Sequence, residues 1–404
     1  MRPYRHVPTR SSTTRLARYI IILLLLWTVI NVVQVRLALA QPSEEPLKPL
    51  GSERIFIASV NRNNEAVLRS NWTASVLELA KQIGHDNVFI SIEESGSWDK
   101  TQELLTNLAH DLDDAGIRAH VVLDGTSHEQ EVNQVPAETG WVWTPRRRME
   151  LRRIPYLSKQ RNKGLQPLYE MAEAGERFDK ILFLGDVVFT AEDVQTLVNT
   201  RGGEYAAACA LDFSRAPLLY DTFAMRDSEG EEPLMLRWPF FRSQKSRKAI
   251  ERQESVPVES CWNGMVAMDT TPFYEQGLAF RGIPDSLASR HIEGSECCLI
   301  HADNPLSEDK GVWVNPSVRV GYNTEAYDAV HRDCRSWPST LDIAFGSWQN
   351  RILRWSTTTW FKKQLVEFRF ARWMQESAGS ATEVGANCLV NEMQVIQANG
   401  WGHV

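Results

Sequence analysis

The apolar run Ile181 to Leu184 is followed by Gly185 and then Asp186, so a carboxylate arrives at the end of a buried-strand pattern. Open α/β sheets bind ligands beyond the carboxyl ends of their strands. A carboxylate oxygen is a hard ligand that Mn²⁺ or Mg²⁺ accepts. Asp186 is therefore the candidate metal ligand and donor-site residue; the competing reading makes it a turn or cap aspartate. Arg161 and Asn162 lie on or just before a helix leading to that strand. A guanidinium grips phosphate through two fixed donors, which makes this pair candidates for a nucleotide diphosphate. Trp262 and Asn263 offer an indole to stack on the apolar face of a sugar and an amide to read its hydroxyls, although Trp262 also suits a core. Glu296, just after Gly294, can orient or deprotonate an acceptor hydroxyl, or cap a helix starting near Cys297. His301, followed by Asp303, can complete a metal shell with nitrogen or be structural. Asp212, at the end of a strand, and Asp269, before Pro272, are the other carboxylates available for catalysis. A double displacement would need one of them, or Glu296, as nucleophile.

These residues need elements to position them, and the pattern supplies a β-α-β alternation. Strands are predicted at 54–60, 87–92, 118–123, 180–189 and 206–213. Helices are predicted at 64–83, 99–115, 159–174 and from Ala191 on, where Thr190 caps and Glu192 and Asp193 suit the first turn. Such an alternation builds a parallel sheet covered by helices on both faces. A basic segment with Arg146, Arg147, Arg148, Arg152 and Arg153 interrupts it.

Six blocks lie in order along the chain: NVFISIEESGS (87–97), YLSKQRNKGLQPL (156–168), FDKILFLGDVVF (178–189), AACALDF (207–213), CWNGMVAMDTTPF (261–273) and SECCLIHADN (295–304). Together they resemble the fungal α-1,3-mannosyltransferase and capsule-associated protein family, glycosyltransferase family 69, over about residues 54–323. The resemblance implies a GT-A-like nucleotide-sugar-binding fold, GDP-mannose as donor, Mn²⁺ as preferred metal, retention of anomeric configuration and a type II Golgi membrane protein. The family pattern reads Leu-Asn-Asp where this chain has Leu184-Gly185-Asp186. That departure keeps open a non-catalytic, sugar-binding assembly factor of a glycan-synthesising complex. A glycan hydrolase using two opposed carboxylates, without nucleotide or metal, is the other rival.

The remaining organisation is read from composition. Arg2, Arg5, Arg10, Arg15 and Arg18 precede an apolar run at 19–33 that weakens through Ala40. This reads as a cytoplasmic tail (1–18) and a signal anchor (19–40) under the positive-inside rule, or else as a leader cut after Ala38-Leu39-Ala40. A polar stem (41–52), the GT-A-like domain (53–335) and a basic, aromatic extension (336–404) packed on it follow. Asn71-Trp72-Thr73 is a glycosylation sequon. The six cysteines, Cys209, Cys261, Cys297, Cys298, Cys334 and Cys388, fit a secretory compartment but allow fifteen pairings. The 404 residues carry a net charge of −7, with 43% hydrophobic and 24% charged residues. This is a globular composition with no general attraction to nucleic acid.

Overall fold

The structure, a computed structural model, describes residues 12–40, 47–331, 337–377 and 382–404. Arg2, Arg5, Arg10 and Cys334 lie outside the described residues, as does the first half of the expected stem. The strands of the central sheet, in chain order, are β1 (Ile55–Asn61), β2 (Val88–Ser95), β3 (Ala119–Asp124), β4 (Lys180–Leu184), β5 (Ala207–Arg215), β6 (Arg226–Asp227), β7 (Val256–Ser260), β8 (Met265–Asp269) and β9 (Val312–Gly321). Across the sheet they run β3-β2-β1-β4-β8-β5-β9-β7-β6, and the short strand Leu218–Leu219 hangs on β5. β1 pairs in parallel with β2 and β4, and β2 with β3. β8 runs antiparallel between β4 and β5. A parallel half joined through one reversed strand to a mixed half is the GT-A-like arrangement. Its consequence is that the carboxyl ends of β1, β2, β4 and β5 share one edge with the amino end of β8.

The helices are α1 (Ser12–Leu39), α2 (Thr73–Ile83), α3 (Thr101–Asp114), α4 (Arg153–Glu173), α5 (Ala191–Val198), α6 (Glu296–Ala302), α7 (Thr340–Ser356) and α8 (Trp360–Glu376), besides several shorter turns. Side chains alternate across a strand, so each strand feeds two cores. Ile55 and Ile57 of β1, with Leu182 and Leu184 of β4, pack with Val76 and Leu79 of α2, Leu105 and Leu108 of α3 and Val194 and Leu197 of α5. Phe56, Ala58, Ile181 and Phe183 turn the other way, onto Leu165 and Leu168 of α4. Thr190 caps α5 in a reciprocal box with Asp193, as its sequence predicts.

Three elements differ from the sequence pattern. β4 ends at Leu184 instead of running to Phe189; the Gly185 amide still donates in register to the Gly264 carbonyl (2.8 Å), and beyond that last rung the chain leaves the sheet. The helix expected over 64–83 is broken by a π-turn at Leu68–Trp72. π-turns recur at functional sites, and here Trp72 Nε1 donates to the Gly185 carbonyl at 2.9 Å. α4 begins at Arg153, not Lys159, with Pro155 inside the first turn, where a missing N–H costs nothing.

α1 is long and apolar enough to cross a membrane over Thr14–Leu39. Its last third is docked on the domain: Val35 is buried, and Val32 and Leu39 pack on the core. The described part of the expected stem is docked too, with the Lys48 amide donating to Asn199 Oδ1 (2.8 Å) and Lys48 Nζ to the Gly202 carbonyl (2.8 Å). At the other end of the chain, Trp373 of α8 packs with Ile292 and Leu299. Disulfides join Cys209 to Cys261 and Cys298 to Cys388, and Cys297 is a buried free thiol.

Glu93, near the end of β2, is buried against α4, and this burial pushes its carboxyl up to about 7; Lys163 pulls it down and Asp124 pushes it further up. The folded value lies above the unfolded one of about 4.5, so the stabilising contribution is complete below 4.5 and is lost as pH rises through about 7. Glu93→Gln should therefore raise stability at pH 8 relative to the parent, on the order of 2 kcal/mol, and by much less at pH 5. Denaturant melts at the two pH values check this; an equal change at both contradicts it.

Candidate active site

A cleft of about 890 Å³ opens along the shared strand edge. Four of the expected residues meet there from separate elements: Asp186 after β4, Arg161 on α4, Trp262 before β8 and Glu296 at the first turn of α6. Arg161 Nε donates to Glu296 Oε1 at 3.2 Å. The same guanidinium lies 4.6 Å over the Trp262 ring and 5.6 Å from that of Phe280. A cation paired on one side and stacked on another keeps its fork in place before any ligand arrives. Trp262 is itself fixed by Phe183 and Phe280, at 5.1 and 5.5 Å between ring centroids. One indole face is thus taken by Arg161, and Trp262 acts as a support for the guanidinium more than as a platform for sugar. Ser295, not Glu296, caps α6, accepting from the Cys297 amide, which leaves the glutamate free to face Arg161.

Burial pushes the Asp186 carboxyl up to about 6, against its own amide, the Asn64 side chain and the field of Arg161, which all favour the charged form. Gly185 beside it has a packing reason. A Cβ there would stand 2.9 Å from the Gly264 carbonyl oxygen, so an asparagine would require the β8 entry to shift. Gly264 in turn has φ +78°, and a Cβ on it would meet Val320 and Val187 within 3 Å. The two glycines let β4 and β8 close on each other where Asp186 emerges.

The other expected residues sit elsewhere. Asp212 is fully buried one layer behind the cleft wall. It accepts from Asn263 Nδ2 (2.7 Å), from the Tyr322 hydroxyl (3.2 Å) and from the Asp221 amide (3.2 Å). Asn263, also buried, donates to the Asp221 carbonyl at 2.9 Å. Asp212 and Asn263 therefore hold the wall, and the carboxylate they present to the cleft is Asp221. Burial pushes both Asp212 and Asp221 upward, with the charge of Asp221 adding to the first and that of Glu296 to the second. Asn162 faces away from the cleft and clamps the Phe280 backbone, accepting from its amide (2.9 Å) and donating to its carbonyl (2.8 Å). Asp269 lies at the opposite edge of the sheet because β8 is reversed. It pairs across to Lys180, the first residue of β4, and binds Lys310 Nζ at 2.8 Å, so it takes no part in the cleft.

His301 is buried with Nε2 2.8 Å from the Cys261 carbonyl, and burial pushes its imidazole down to about 4. It lies near Cys209 and Cys261, but those sulfurs are bonded to each other and offer no thiolate. His301 does not line the cleft, and Asp303 after it is held by Arg281 at 2.6 Å. Asn71 is half-buried, its Oδ1 accepting from the Ser75 hydroxyl (3.0 Å) and the Phe189 amide (3.3 Å).

Three groups of cleft residues were not found from the sequence. Asn61 and Arg62 sit at the end of β1, where Asn61 Oδ1 and the Arg62 Nε and Nη2 atoms are buried with no hydrogen-bond partner among the described residues, the Arg62 guanidinium lying 4.7 Å over the Trp98 ring. Unpaired buried acceptors and donors lining a cleft point to a ligand that satisfies them; a dipeptide just past a strand gave no pattern to find them by. The terminal hairpin, Gln394–Gln397 with Gly400–His403, forms another wall. Arg153 binds Gln394 and stacks 4.2 Å over Trp401, which stays 45% exposed at the mouth. Asp221 lies in a loop without periodicity, and only its Asp212–Asn263 support reveals it.

Residues 54–303, more than half of the chain, match the family model described as Cryptococcal mannosyltransferase 1. No curated protein sequence matches. Among solved structures, the chain is similar to the mannosyltransferase PcManGT from Pyrobaculum calidifontis, solved in complex with GDP-Man and Mn²⁺, at 9% identity and a TM-score of 0.39, covering 89% of this chain and 85% of that one. It is similar to residues 1–349 of S. aureus TarS at 11% identity and a TM-score of 0.36, covering 70% and 64%. GalNAc-T7 with UDP, GalNAc and Mn²⁺ shows 12% identity and a TM-score of 0.37, covering 83% and 57%.

Proposed function

The chain belongs to the family described as Cryptococcal mannosyltransferase 1, and from that membership we propose that it moves mannose from GDP-mannose to a hydroxyl of a glycan acceptor, with metal assistance and retention, forming an α-1,3 linkage. Glycosyl transfer follows from the family; the donor, linkage, metal and stereochemistry are the proposal. The observation that carries it is the convergence of Asp186, Arg161 and Glu296 from three separate elements in one cleft.

Asn61 and Arg62 are assigned to the nucleotide base, which needs both an acceptor and donors, and Arg161 to the diphosphate. Asp186 is a hard oxygen donor suited to Mn²⁺ or Mg²⁺, and it would hold the ion together with the donor's own phosphate oxygens. When bound, such an ion offsets the negative charge growing on the leaving diphosphate. Arg161 stabilises the same charge and is already oriented to do so by Glu296 and Trp262. Positive charge grows on the sugar, where the Asp221 and Glu296 carboxylates face the cleft. If the acceptor hydroxyl attacks from the leaving side, the departing phosphate takes its proton and no protein base is required. Trp401 at the mouth is assigned to the acceptor glycan, of a glycoprotein, a glycolipid or a wall polysaccharide. α1 is assigned as a type II Golgi anchor with the domain in the lumen, supported by the disulfides and by the Asn71 sequon.

Titration calorimetry of the full chain in detergent, with GDP, GDP-mannose and UDP-sugars, each with and without Mn²⁺, tests the donor. Mn²⁺-dependent binding of GDP-mannose is expected. Binding of UDP-sugars alone overturns the donor, and tight GDP-mannose binding without transfer to any glycan acceptor favours the assembly-factor reading that Gly185 raised.

A further inference from the structure

We propose that α7 and the first half of α8 form a lipid-embedded face, so that the domain lies in the membrane surface beside its anchor and not on a stem above it. The proposal rests on α1 being a membrane span.

The length of α1 is the first observation. A span of about 30 Å takes about 20 residues, which counted from Tyr19, after the last arginine of the tail, run to Ala38. The part of α1 free of protein contacts is much shorter: from Arg18 to Trp27 the rise is only about 13 Å. From Trp27 onward, α7 is docked on it. Trp348 packs edge-on against Trp27 at 5.4 Å and donates from Nε1 to Thr28 Oγ1 at 2.7 Å. Ser347 donates to Asn31 Oδ1 at 2.9 Å, and Arg36 to Thr340 Oγ1 at 3.1 Å. If α1 crosses the bilayer, α7 lies at the depth of the half of the bilayer away from Arg18.

The second observation is what α7 turns outward. Leu341, Phe345, Ile352 and Trp355 are exposed, Trp355 at 72%. With Trp348 between them they follow steps of four, three, four and three residues, which is a single helical stripe. After Thr357–Thr359 the pattern resumes on α8, where Phe361, Leu365 and Phe368 are exposed at steps of four and three, with Phe361 at 73%. Two lysines of α8 pair with acids of the domain, Lys363 Nζ with Glu231 at 2.5 Å and Lys362 Nζ with Glu232 at 3.5 Å, while Glu367 is exposed and accepts from Gln364 of the same helix. Arg351 lies 4.1 Å over the Trp27 ring, so its cation is held against an aromatic of α1 at the depth of that ring. Large apolar side chains aligned beside a candidate span match a face turned to lipid.

The test uses the full chain in phosphatidylcholine nanodiscs, with single nitroxide labels on cysteines introduced at Phe345, Trp355, Phe361 and Phe368. A label at Leu24 on α1 reports the anchor, and one at Val135, exposed on a distant loop, reports water. Collision rates are read with oxygen, which concentrates in lipid, and with an aqueous nickel chelate. We expect oxygen to dominate at the four positions and at Leu24, and nickel to dominate at Val135. Nickel access at 345 and 355 with a lipid-exposed Leu24 overturns the proposal and leaves the anchor standing. Nickel access at Leu24 overturns the anchor and the proposal together. Protection from both reagents at the four positions means a protein covers the face and also overturns it, and nickel access confined to 361 and 368 removes α8 from the surface.

Discussion

Asp186→Asn should lower mannose transfer at least ~100-fold, or about 2.7 kcal/mol of barrier, without lowering the thermal melt; because burial raises the Asp186 carboxyl, removing its charge should raise the melt at neutral pH. The change keeps the shape of the side chain and removes its charge. Gly185, whose carbonyl takes the Trp72 indole N–H and whose amide binds Gly264, is untouched, so the strand exit should hold. A second readout separates loss of a ligand from loss of shape. Burial holds the Asp186 carboxyl at about 6, and a protonated carboxyl is a poor metal ligand. Metal-dependent donor binding by the parent should therefore weaken about tenfold per unit below pH 6, and in the variant this acid limb should vanish. Retention of both rate and acid limb in Asp186→Asn removes Asp186 from the mechanism.

The second large effect is expected far from any reacting atom. Arg152, at the foot of α4, is fully buried between two acids: Nη2 to Glu293 Oε1 and Nη1 to Asp285 Oδ1, both at 2.6 Å, with Nη1 also donating to the Ile283 carbonyl at 2.9 Å. Arg152→Met should cost about 3–5 kcal/mol because it strands a buried carboxylate. Burial already pushes Glu293 upward against the pull of Arg152, so without the guanidinium Glu293 takes up a proton and the loss should be smaller at pH 5 than at pH 8. The double variant Arg152→Met/Glu293→Leu should recover most of the stability. Transfer should fall with the single variant even where it stays folded, since Arg152 ties the helix carrying Arg161 to the strand that leads into Glu296. A denaturant midpoint unchanged in Arg152→Met rules out this account.

The sheet was legible because its strands are buried on both faces and its helices alternate with them at regular spacing, as in 55–61, 88–95 and 180–184. Asp186 and Glu296 could be placed because each is a carboxylate set next to an apolar run, and Arg161 because it lies on the helix leading to that strand; the structure brings all three into one cleft. The misplacements have physical causes too. Asp269 was read only as a carboxylate before Pro272; it ends β8, and reversal of that strand puts it at the edge away from the cleft, since strand direction is not written in periodicity. His301 and Asn162 sit on helices whose rotation depends on tertiary packing, which turns one to the disulfide and the other to Phe280. Asp221, Asn61 and Arg62 lie in irregular chain, where function is set by what folds around them. Trp262 was read as a sugar platform from its chemistry alone, and the stacking of the Arg161 guanidinium 4.6 Å over its ring is a tertiary contact that the sequence does not show.

The hairpin 394–403 has a bearing on the order of events during synthesis. Every strand of the sheet precedes it, so a chain emerging into its compartment can assemble the sheet while the cleft still lacks a wall. The gap closes only when residues beyond Gln394 have emerged. The Cys298–Cys388 bond, between residues ninety apart, ties the chain just before this hairpin to the domain, and a reductant present during biosynthesis should leave molecules that pass for folded yet work poorly.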